Sequence, residues 1–319
     1  MLENTPMVSR RERGTNTEVQ ELRIEGRKVV VRGRICRVAE VDGEGYKFLA
    51  DPASAITALR DSNTRADIFT FMQELPETSS RYEYTFQWDN FAVLPISTFD
   101  QWWMKQIGFK ARNKAKQAEK KGIVIREVPF DDRLVRGVWE IYNEVPVRQG
   151  RRFPHFGKSL EAVRAMSATF LESSVFIGAF DGDKMVGFVK LTMNDARTQA
   201  GLMHILSLIS YRDKAPTNGL LVQAVRSCAH RGVTRLVYAN FAYGKKSRSS
   251  LSDFKERNGF QRVDVPRYYV PLTLWGALAL RLGLHRRLAE QMPESVAAKL
   301  RELRSRWYQR RFDMKTESF

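Results

Sequence analysis

The apolar and polar positions of the chain alternate with two periods, and each period predicts its own secondary structure. Alternating apolar and polar residues in RKVVVRGRICRVAEVDG (27–43) predict a hairpin of strands. The many aromatic and β-branched residues of YEYTFQWDNFAVLPI (82–96) predict strands there too. Asp51-Pro52 predicts the start of a helix, because aspartate caps a first turn and proline suits its first position. The apolar segment ADIFTFMQEL (66–75) is predicted to be a largely buried helix.

A basic segment and then a regular series of elements follow. A long helix is predicted at 99–122, ending at Gly122, and Asp181-Gly182-Asp183 predicts the turn of a hairpin. Other strands are predicted at 123–128, 175–192 (the hairpin), 201–210, 234–241 and 261–272. Helices are predicted at 134–145, 160–173, 218–233 and 249–260.

Composition and charge limit the class of protein. The 319 residues are 43% hydrophobic and carry a formal net charge of +17, most of it after residue 121. This excess suits polyanionic partners, namely tRNA, a phosphate-bearing cofactor, a lipid pyrophosphate or an anionic membrane face, or else it is a basic surface without a specific partner. The sequence predicts a cytoplasmic location for three reasons. Its two cysteines are far apart, its N-terminus is polar, and it has no run of ~20 apolar residues.

Several motifs resemble those of a known superfamily. The order strand, helix, helix, hairpin, strand, helix, strand, helix, strand resembles the GNAT fold. The basic helix RNKAKQAEKKGIVI is similar to the helix that enters the second domain of FemAB-like transferases. The same resemblance extends to VRQGRRFPHFGKS, RDKAPTNGLLVQA, SSLSDFKERNGF and VPRYYVPLT. It implies an α/β (α+β) fold, a GNAT-like mixed sheet flanked by helices, with a truncated GNAT-like N-terminal lobe and a C-terminal helical tail.

The predicted domain organisation follows from this resemblance. It comprises a flexible lead-in at 1–20, a partial N-terminal GNAT-like lobe at 21–98, a GNAT domain at 99–271 and a basic amphipathic helical tail at 272–319. In the tail, Pro293 begins a helix whose apolar face packs onto the domain or rests on a membrane surface, so peripheral membrane contact through 272–311 is one alternative.

The resemblance also implies where an activated donor binds. In GNAT proteins two central strands separate, and the exposed backbone of the earlier one, here 201–210, polarises the donor carbonyl. The following loop, YRDKAPTNG, leads into a helix N-terminus that suits phosphate groups. The predicted donor-binding residues are Arg212, Lys214, Thr217, Asn218, Gly219 and Lys245. The usual acetyl-CoA pattern Gln/Arg-x-x-Gly-x-Gly/Ala is absent, so acyl-CoA and aminoacyl-tRNA both remain candidate donors.

Proton transfer needs a base for the amine and an acid for the leaving group. The candidates are Tyr243, which follows a buried strand, His155, whose cationic neighbours lower its pKa, and Glu144. The structural alternatives are a plain loop tyrosine, a hydrogen-bonded histidine and a glutamate paired with arginine. Candidate substrate-binding residues are Arg148, Arg151, Arg152 and His204, the last of which is alternatively a core histidine.

The sequence therefore predicts an N-acyltransferase or aminoacyltransferase that moves an acyl group from acyl-CoA or aminoacyl-tRNA to an amine. The family resemblance suggests a lipid- or sugar-linked acceptor in cell-envelope or polysaccharide synthesis, at the inner face of the membrane. The alternative is a non-catalytic GNAT-like basic module that binds RNA or acts as a scaffold. The four histidines show no metal-ligand spacing, so no metal is expected.

Overall fold

The chain folds into two compact units. A computed structural model describes residues 3–4, 8–12, 15–242, 249–285 and 299, with side chains for 20–242, 249–285 and 299. Unit 1 comprises Met1–Phe91 and Arg262–Gln291, and the described core of unit 2 is Ala92–Gln261. Within the residues the structure describes, no helix is both long enough and apolar enough to cross a bilayer.

The first part of unit 1 is a sheet that packs on one helix. Its elements are β1 (Glu3–Asn4), β2 (Val8–Glu12), β3 (Thr15–Ile24), β4 (Arg27–Arg32), β5 (Val38–Val41), α1 (Pro52–Asp61), β6 (Ile68–Met72) and β7 (Thr85–Pro95). The strands lie in the order β1-β3-β4-β5-β6, with β2 also paired to β3. Helix α1 begins as predicted, because the Asp51 side chain accepts from the Ala53 N–H at 3.0 Å. Its buried Ala55, Ile56 and Leu59 join the core of the sheet.

Unit 2 has a mixed sheet flanked by helices, as the sequence predicts. Its helices are α2 (Phe99–Gln101), α3 (Phe109–Lys120), α4 (Asp132–Asn143), α5 (Leu160–Ser167), α6 (Pro216–His230) and α7 (Ser250–Arg257). Its strands are β8 (Ile123–Val128), β9 (Val147–Arg148), β10 (Arg151–Arg152), β11 (Ser174–Asp181), β12 (Lys184–Met193), β13 (Gln199–Ser207) and β14 (Arg235–Asn240). Short 3₁₀ helices lie at Leu171–Ser173 and Ile209–Lys214, and a π-helical turn at Trp102–Gln106.

Strand β13 lies between β12 and β14 in the sheet of unit 2. The strands lie in the order β14-β13-β12-β11-β8, antiparallel except for the parallel pair β13–β14. The predicted hairpin β11–β12 is confirmed, and its turn residue Gly182 has φ +58°. Helices α3 and α6 approach closely, because α3 presents an alanine stripe of Ala111, Ala115 and Ala118. A Cβ at Gly219 of α6 would lie 3.3 Å from the Ala118 Cβ and 2.3 Å from the Ile125 Cδ1.

The chain then returns to unit 1 through β15 (Gln261–Pro271) and α8 (Leu274–Arg281). Strand β15 pairs antiparallel with β6, from Arg267 opposite Met72 to Pro271 opposite Ile68. The Arg267 guanidinium donates to Asp89 at 2.6 Å and to Glu44 at 2.5 Å. These two carboxylates raise the pKa of Arg267 despite its burial, so the buried cation stays charged.

Several predicted elements need correction. Residues 66–75 do not form a helix, because β6 is a strand with all five residues buried between β5 and β15. A short apolar segment covered on both faces has no periodicity that distinguishes strand from helix. The helix predicted at 99–122 is interrupted at Gly108, whose N–H donates to the Arg257 carbonyl at 2.8 Å. Strand β3 includes part of the predicted lead-in, and the helix predicted from Pro293 lies outside the described residues.

Candidate active site

The two central strands of unit 2 separate after a short parallel ladder. Strands β13 and β14 pair at three positions, from Gln199 opposite Arg235 to Gly201 opposite Val237. Beyond Gly201, β13 continues to Ser207 and stays paired only to β12, within a part of the chain that the structure describes throughout. The N–H and C=O groups of 202–207 that face away from β12 therefore have no strand partner. We call this exposed edge the β13 edge.

A β-bulge and two histidines lie beside the β13 edge. The pairing with β12 shifts between His204 and Leu202, so Met203 is the additional residue. The His204 ring lies 5.6 Å from the ring of His155, which stacks on Tyr142 at 4.4 Å. The structure thus brings together two predicted site residues that are 49 positions apart in the sequence.

The environment keeps both histidines neutral. Burial, followed by the charge of Lys158, lowers the pKa of His155 to about 4. Burial, followed by His155 and Lys190, lowers the pKa of His204 to about 4. Each ring is therefore neutral at physiological pH and has one nitrogen that can accept a hydrogen bond, and among the described residues the buried Nδ1 of His155 has no hydrogen-bond partner. The pair can therefore accept a hydrogen bond from an N–H group of a substrate.

Glu144 and Arg148 connect the end of α4 to the end of β13. The Glu144 carboxylate accepts from the N–H of Ile209 at 2.7 Å, the N–H of Ser210 at 2.9 Å and the Ser210 hydroxyl at 2.8 Å. Arg148 donates to Glu144 at 3.1 Å, to the Ser207 carbonyl at 2.9 Å and to the Ile141 carbonyl at 2.9 Å. Burial alone would raise the pKa of Glu144, but these donors together hold it below the ordinary value.

This geometry explains the end of β13. The strand predicted at 201–210 ends at Ser207, because Glu144 binds the next N–H groups and a 3₁₀ helix begins at Ile209. The ionised carboxylate of Glu144 is held by four donors, so the geometry favours the arginine-paired, structural alternative over proton transfer.

Several residues of the predicted phosphate-binding turn contact other residues of the protein. Lys214 donates to the Asp181 carboxylate at 2.6 Å, and this hydrogen bond raises its pKa. Gly219 is buried against α3 and Ile125, so its small size serves helix packing. The Thr217 hydroxyl is 2.8 Å from the Ser207 hydroxyl. Of the predicted donor-binding residues with described side chains, the exposed Arg212 and the half-buried Asn218 remain facing solvent.

The other predicted residues fall in three places. Arg148 is mostly buried, whereas Arg151 and Arg152 are exposed on the small β9–β10 hairpin. Tyr243 and Lys245 lie outside the described residues, between β14 and α7. In the described part of the chain, no group of three or more His, Cys, Asp or Glu side chains is placed to hold a metal ion.

The comparisons with known proteins bear on this architecture. No family model matches the sequence, and no curated protein matches it by sequence. Among solved structures, FemX is similar with a TM-score of 0.57 and 10% identity, covering 82% of this chain and 89% of that chain. The chain has a FemAB-like GNAT fold.

Two further structures share this GNAT fold. L-PGS from Bacillus licheniformis has a TM-score of 0.55 and 14% identity, with 84% of this chain and 90% of that chain covered. The C-terminal domain of a protein described as a lysylphosphatidylglycerol synthetase from Agrobacterium fabrum has a TM-score of 0.54 and 13% identity. The coverage there is 82% of this chain and 87% of that chain. Identities this low show a common fold.

Unit 2 contains a buried lysine that the sequence analysis did not select. The Lys255 side chain on α7 is fully buried, and its Nζ donates to the Asn240 carbonyl at 2.6 Å, at the end of β14. It also lies 4.4 Å from the centre of the Tyr238 ring. Burial lowers the pKa of Lys255 to about 8. The lysine is thus held at the end of β14, three residues beyond Val237, the last β14 residue that pairs with β13.

The sequence contains one signal that could have identified Lys255, namely its position within α7. It follows Ser252 by three residues, and these are the two buried residues of α7, so a charged residue occupies the core-facing side of a short helix. Lysines are rarely buried without a specific reason, and this spacing marks Lys255 as a candidate for function.

Proposed function

We propose that the protein is an N-acyltransferase or aminoacyltransferase that joins an activated acyl group to an amine. The observation that carries the proposal is the β13 edge, the unpaired side of the central strand after Gly201. An ester or thioester carbonyl placed along this edge would receive hydrogen bonds from backbone N–H groups, which stabilise the negative charge that develops on its oxygen. The fold supports this chemistry, because it is the one that FemX has.

The residues around the β13 edge supply the other requirements of the reaction. The amine attacks the carbonyl carbon, the new C–N bond forms and the bond to the leaving oxygen or sulfur breaks. His204 with His155 is the candidate base: both rings are neutral and accept a hydrogen bond from the amine, and the proton is taken as the C–N bond forms and the nitrogen becomes positively charged and acidic. Lys255 supplies a positive charge or a proton near the end of β14. Tyr243 stays a predicted donor of the proton to the leaving group.

We favour an aminoacyl-tRNA donor over acyl-CoA. Within the predicted turn, Lys214 is bound to Asp181 and the Thr217 hydroxyl lies beside that of Ser207. Gly219 is buried against α3, so little of the turn is left for a pyrophosphate. By contrast, α3 and the preceding π-helical turn expose four lysines, on more than one face, with no ion pair among the described residues, and these suit an RNA backbone. They are Lys105, Lys110, Lys116 and Lys120.

A transfer assay with both donor classes tests the proposal. The protein is incubated with a labelled charged tRNA pool or labelled acetyl-CoA, together with a mixture of primary amines that includes amino sugars. We expect a labelled amide from the tRNA pool, and a rate about 100-fold lower for Lys255→Met, measured at a temperature at which circular dichroism shows the variant to be folded. The exposed Lys184→Met is the control for the loss of one positive charge.

Each outcome has a defined meaning. Product from acetyl-CoA alone would overturn the choice of donor but not the class of reaction. The absence of product from either donor would overturn the proposal. If the protein then bound RNA with strong salt dependence, the non-catalytic RNA-binding alternative, which the lysines of α3 favour, would replace it.

A further inference from the structure

Helix α8 buries its smallest residues and exposes its largest. Gly276 and Ala279 face the body of unit 1, and a Cβ at Gly276 would lie 1.9 Å from the Asp67 carbonyl oxygen. The exposed fractions on the outer face are 94% for Leu274, 46% for Leu278 and 60% for Leu282. These three leucines are four residues apart and form one stripe. A helix covered only by its own domain has the opposite arrangement.

A neighbouring turn extends this stripe. The Trp275 indole, 41% exposed, donates its N–H to the Ile35 carbonyl at 2.9 Å. Ile35 itself is 78% exposed, in the turn between β4 and β5. We call the set of Ile35, Leu274, Trp275, Leu278 and Leu282 the α8 surface. Five large apolar side chains exposed together exceed the scattered exposure that is normal for a water-facing surface.

The charges at the α8 surface are positive. Arg34 precedes Ile35 and Arg281 ends α8, and both are exposed, with no ion pair among the described residues. Residues 272–285 contain no Asp or Glu. The nearby acid Asp67 is bound inside the unit, since its carboxylate accepts from Thr273 Oγ1 at 3.1 Å and from the Arg37 N–H at 2.9 Å.

This charge discriminates between possible occupants. In a symmetric dimer through this face, Arg34 and Arg281 of one copy would meet the same cations of the other. The end of the chain is a poor complement as well, because residues 272–319 contain 10 basic and 5 acidic residues. An anionic bilayer matches both the apolar side chains and the positive charge of the α8 surface. Leucines enter the acyl boundary, tryptophan prefers the interface and arginines pair with lipid phosphates.

We propose that the α8 surface docks the protein peripherally on an anionic membrane, with Leu274, Leu278 and Leu282 entering the outer acyl region. The indole of Trp275 lies at the level of the headgroups, and Arg34 and Arg281 contact their phosphates. The docking depends on neither the donor nor the transfer reaction.

Vesicle binding tests this proposal with closely matched controls. The full-length protein is sedimented with vesicles of phosphatidylglycerol and phosphatidylcholine, or of phosphatidylcholine alone. We expect binding to the anionic vesicles, reduced about tenfold or more in Leu278→Glu, because a buried apolar contact is replaced by a charge that the surface repels. Leu171→Glu in unit 2 replaces a leucine of similar exposure, 40%, and should bind like the wild type.

A second measurement reports the position of Trp275 directly. Brominated lipids quench tryptophans that enter the bilayer, so we expect Trp275→Phe to lose much of the quenching. Trp139→Phe should retain it, although the Trp139 indole is 37% exposed and also donates to a backbone carbonyl, that of Lys158.

The alternatives give different results. Equal binding to neutral vesicles would refute the role of charge, and unchanged binding of Leu278→Glu would refute the surface. A dimer in solution that Leu278→Glu converts to a monomer would assign the surface to a second copy and overturn the proposal. Binding of the donor to Leu278→Glu is measured in solution, without vesicles. This measurement tells a failure of membrane docking apart from a failure of the proposed transferase function.

Discussion

The hydrogen bonds of Glu144 lead to a prediction that distinguishes a structural role of this residue from a role as a base. Glu144→Gln keeps one acceptor oxygen, and its amide NH₂ faces either the N–H of Ile209 with the Arg148 guanidinium or the N–H and hydroxyl of Ser210. About two charge-assisted hydrogen bonds are lost, each worth roughly 1.5–3 kcal/mol, and partial exposure brings the total to about 3 kcal/mol. For a unit of this size the thermal midpoint should fall by about 6–12 °C.

Scanning calorimetry and transfer assays measure the effect. The control is Glu140→Gln, one turn earlier on the exposed side of α4, which should change the midpoint little. The folded-state pKa of Glu144 is lowered, so its stabilisation is present above the unfolded value near 4.5 and is lost as the pH falls through the folded value. The difference between wild type and Glu144→Gln should therefore be constant above the unfolded value and shrink as the pH falls below it. A variant with unchanged stability but no transfer activity would refute the structural role and restore Glu144 as a base.

Three further predictions follow from other sites. Gly276→Ala should displace α8 and cost about 1–3 kcal/mol in chemical denaturation, because its Cβ meets backbone; a stable variant would refute the close approach. His204→Gln should lower kcat about 100-fold, with His230→Gln, at the exposed end of α6, as the control. Because the pKa of His204 is about 4, wild-type activity should show no loss from protonation of this histidine between pH 8 and pH 5. The thiol of Cys228 should react with a thiol reagent at pH 8 only after unfolding, because burial raises its pKa to about 12; rapid reaction of the native protein would contradict this.

Local signals predicted the features that depend on neighbouring residues. The Asp51 cap and the hairpin turn at Gly182 follow from residue types at fixed offsets, and both are confirmed. The order of elements in unit 2 follows from the apolar periodicity and is confirmed too.

Features that depend on distant contacts were not predictable in the same way. Strand β6 is a strand because β5 and β15 cover its two edges, and β15 lies almost 200 residues away in the chain. The end of β13 depends on Glu144, which is 65 residues from Ile209. The 3₁₀ helix at Ile209 has no signal of its own in the sequence.

The same limit applies to the candidate site. The sequence selected His155 and His204 separately, but only the fold places their rings 5.6 Å apart. It selected Lys214 for its charge, and the partner Asp181 comes from a hairpin that is remote in the chain. Charge is visible in a sequence, whereas neutralisation of that charge is a property of the folded protein.

The late arrival of β15 has a consequence for biosynthesis. The 170 residues of 92–261 are made between the two parts of unit 1, which at usual ribosomal speeds takes on the order of 10–30 s. During this time the edge of β6 that β15 will cover is open to other strands, and Glu44 and Asp89 have yet to meet Arg267. Nascent chains halted before residue 262 should therefore need a chaperone, and a fragment ending near residue 98 will not yield the finished unit.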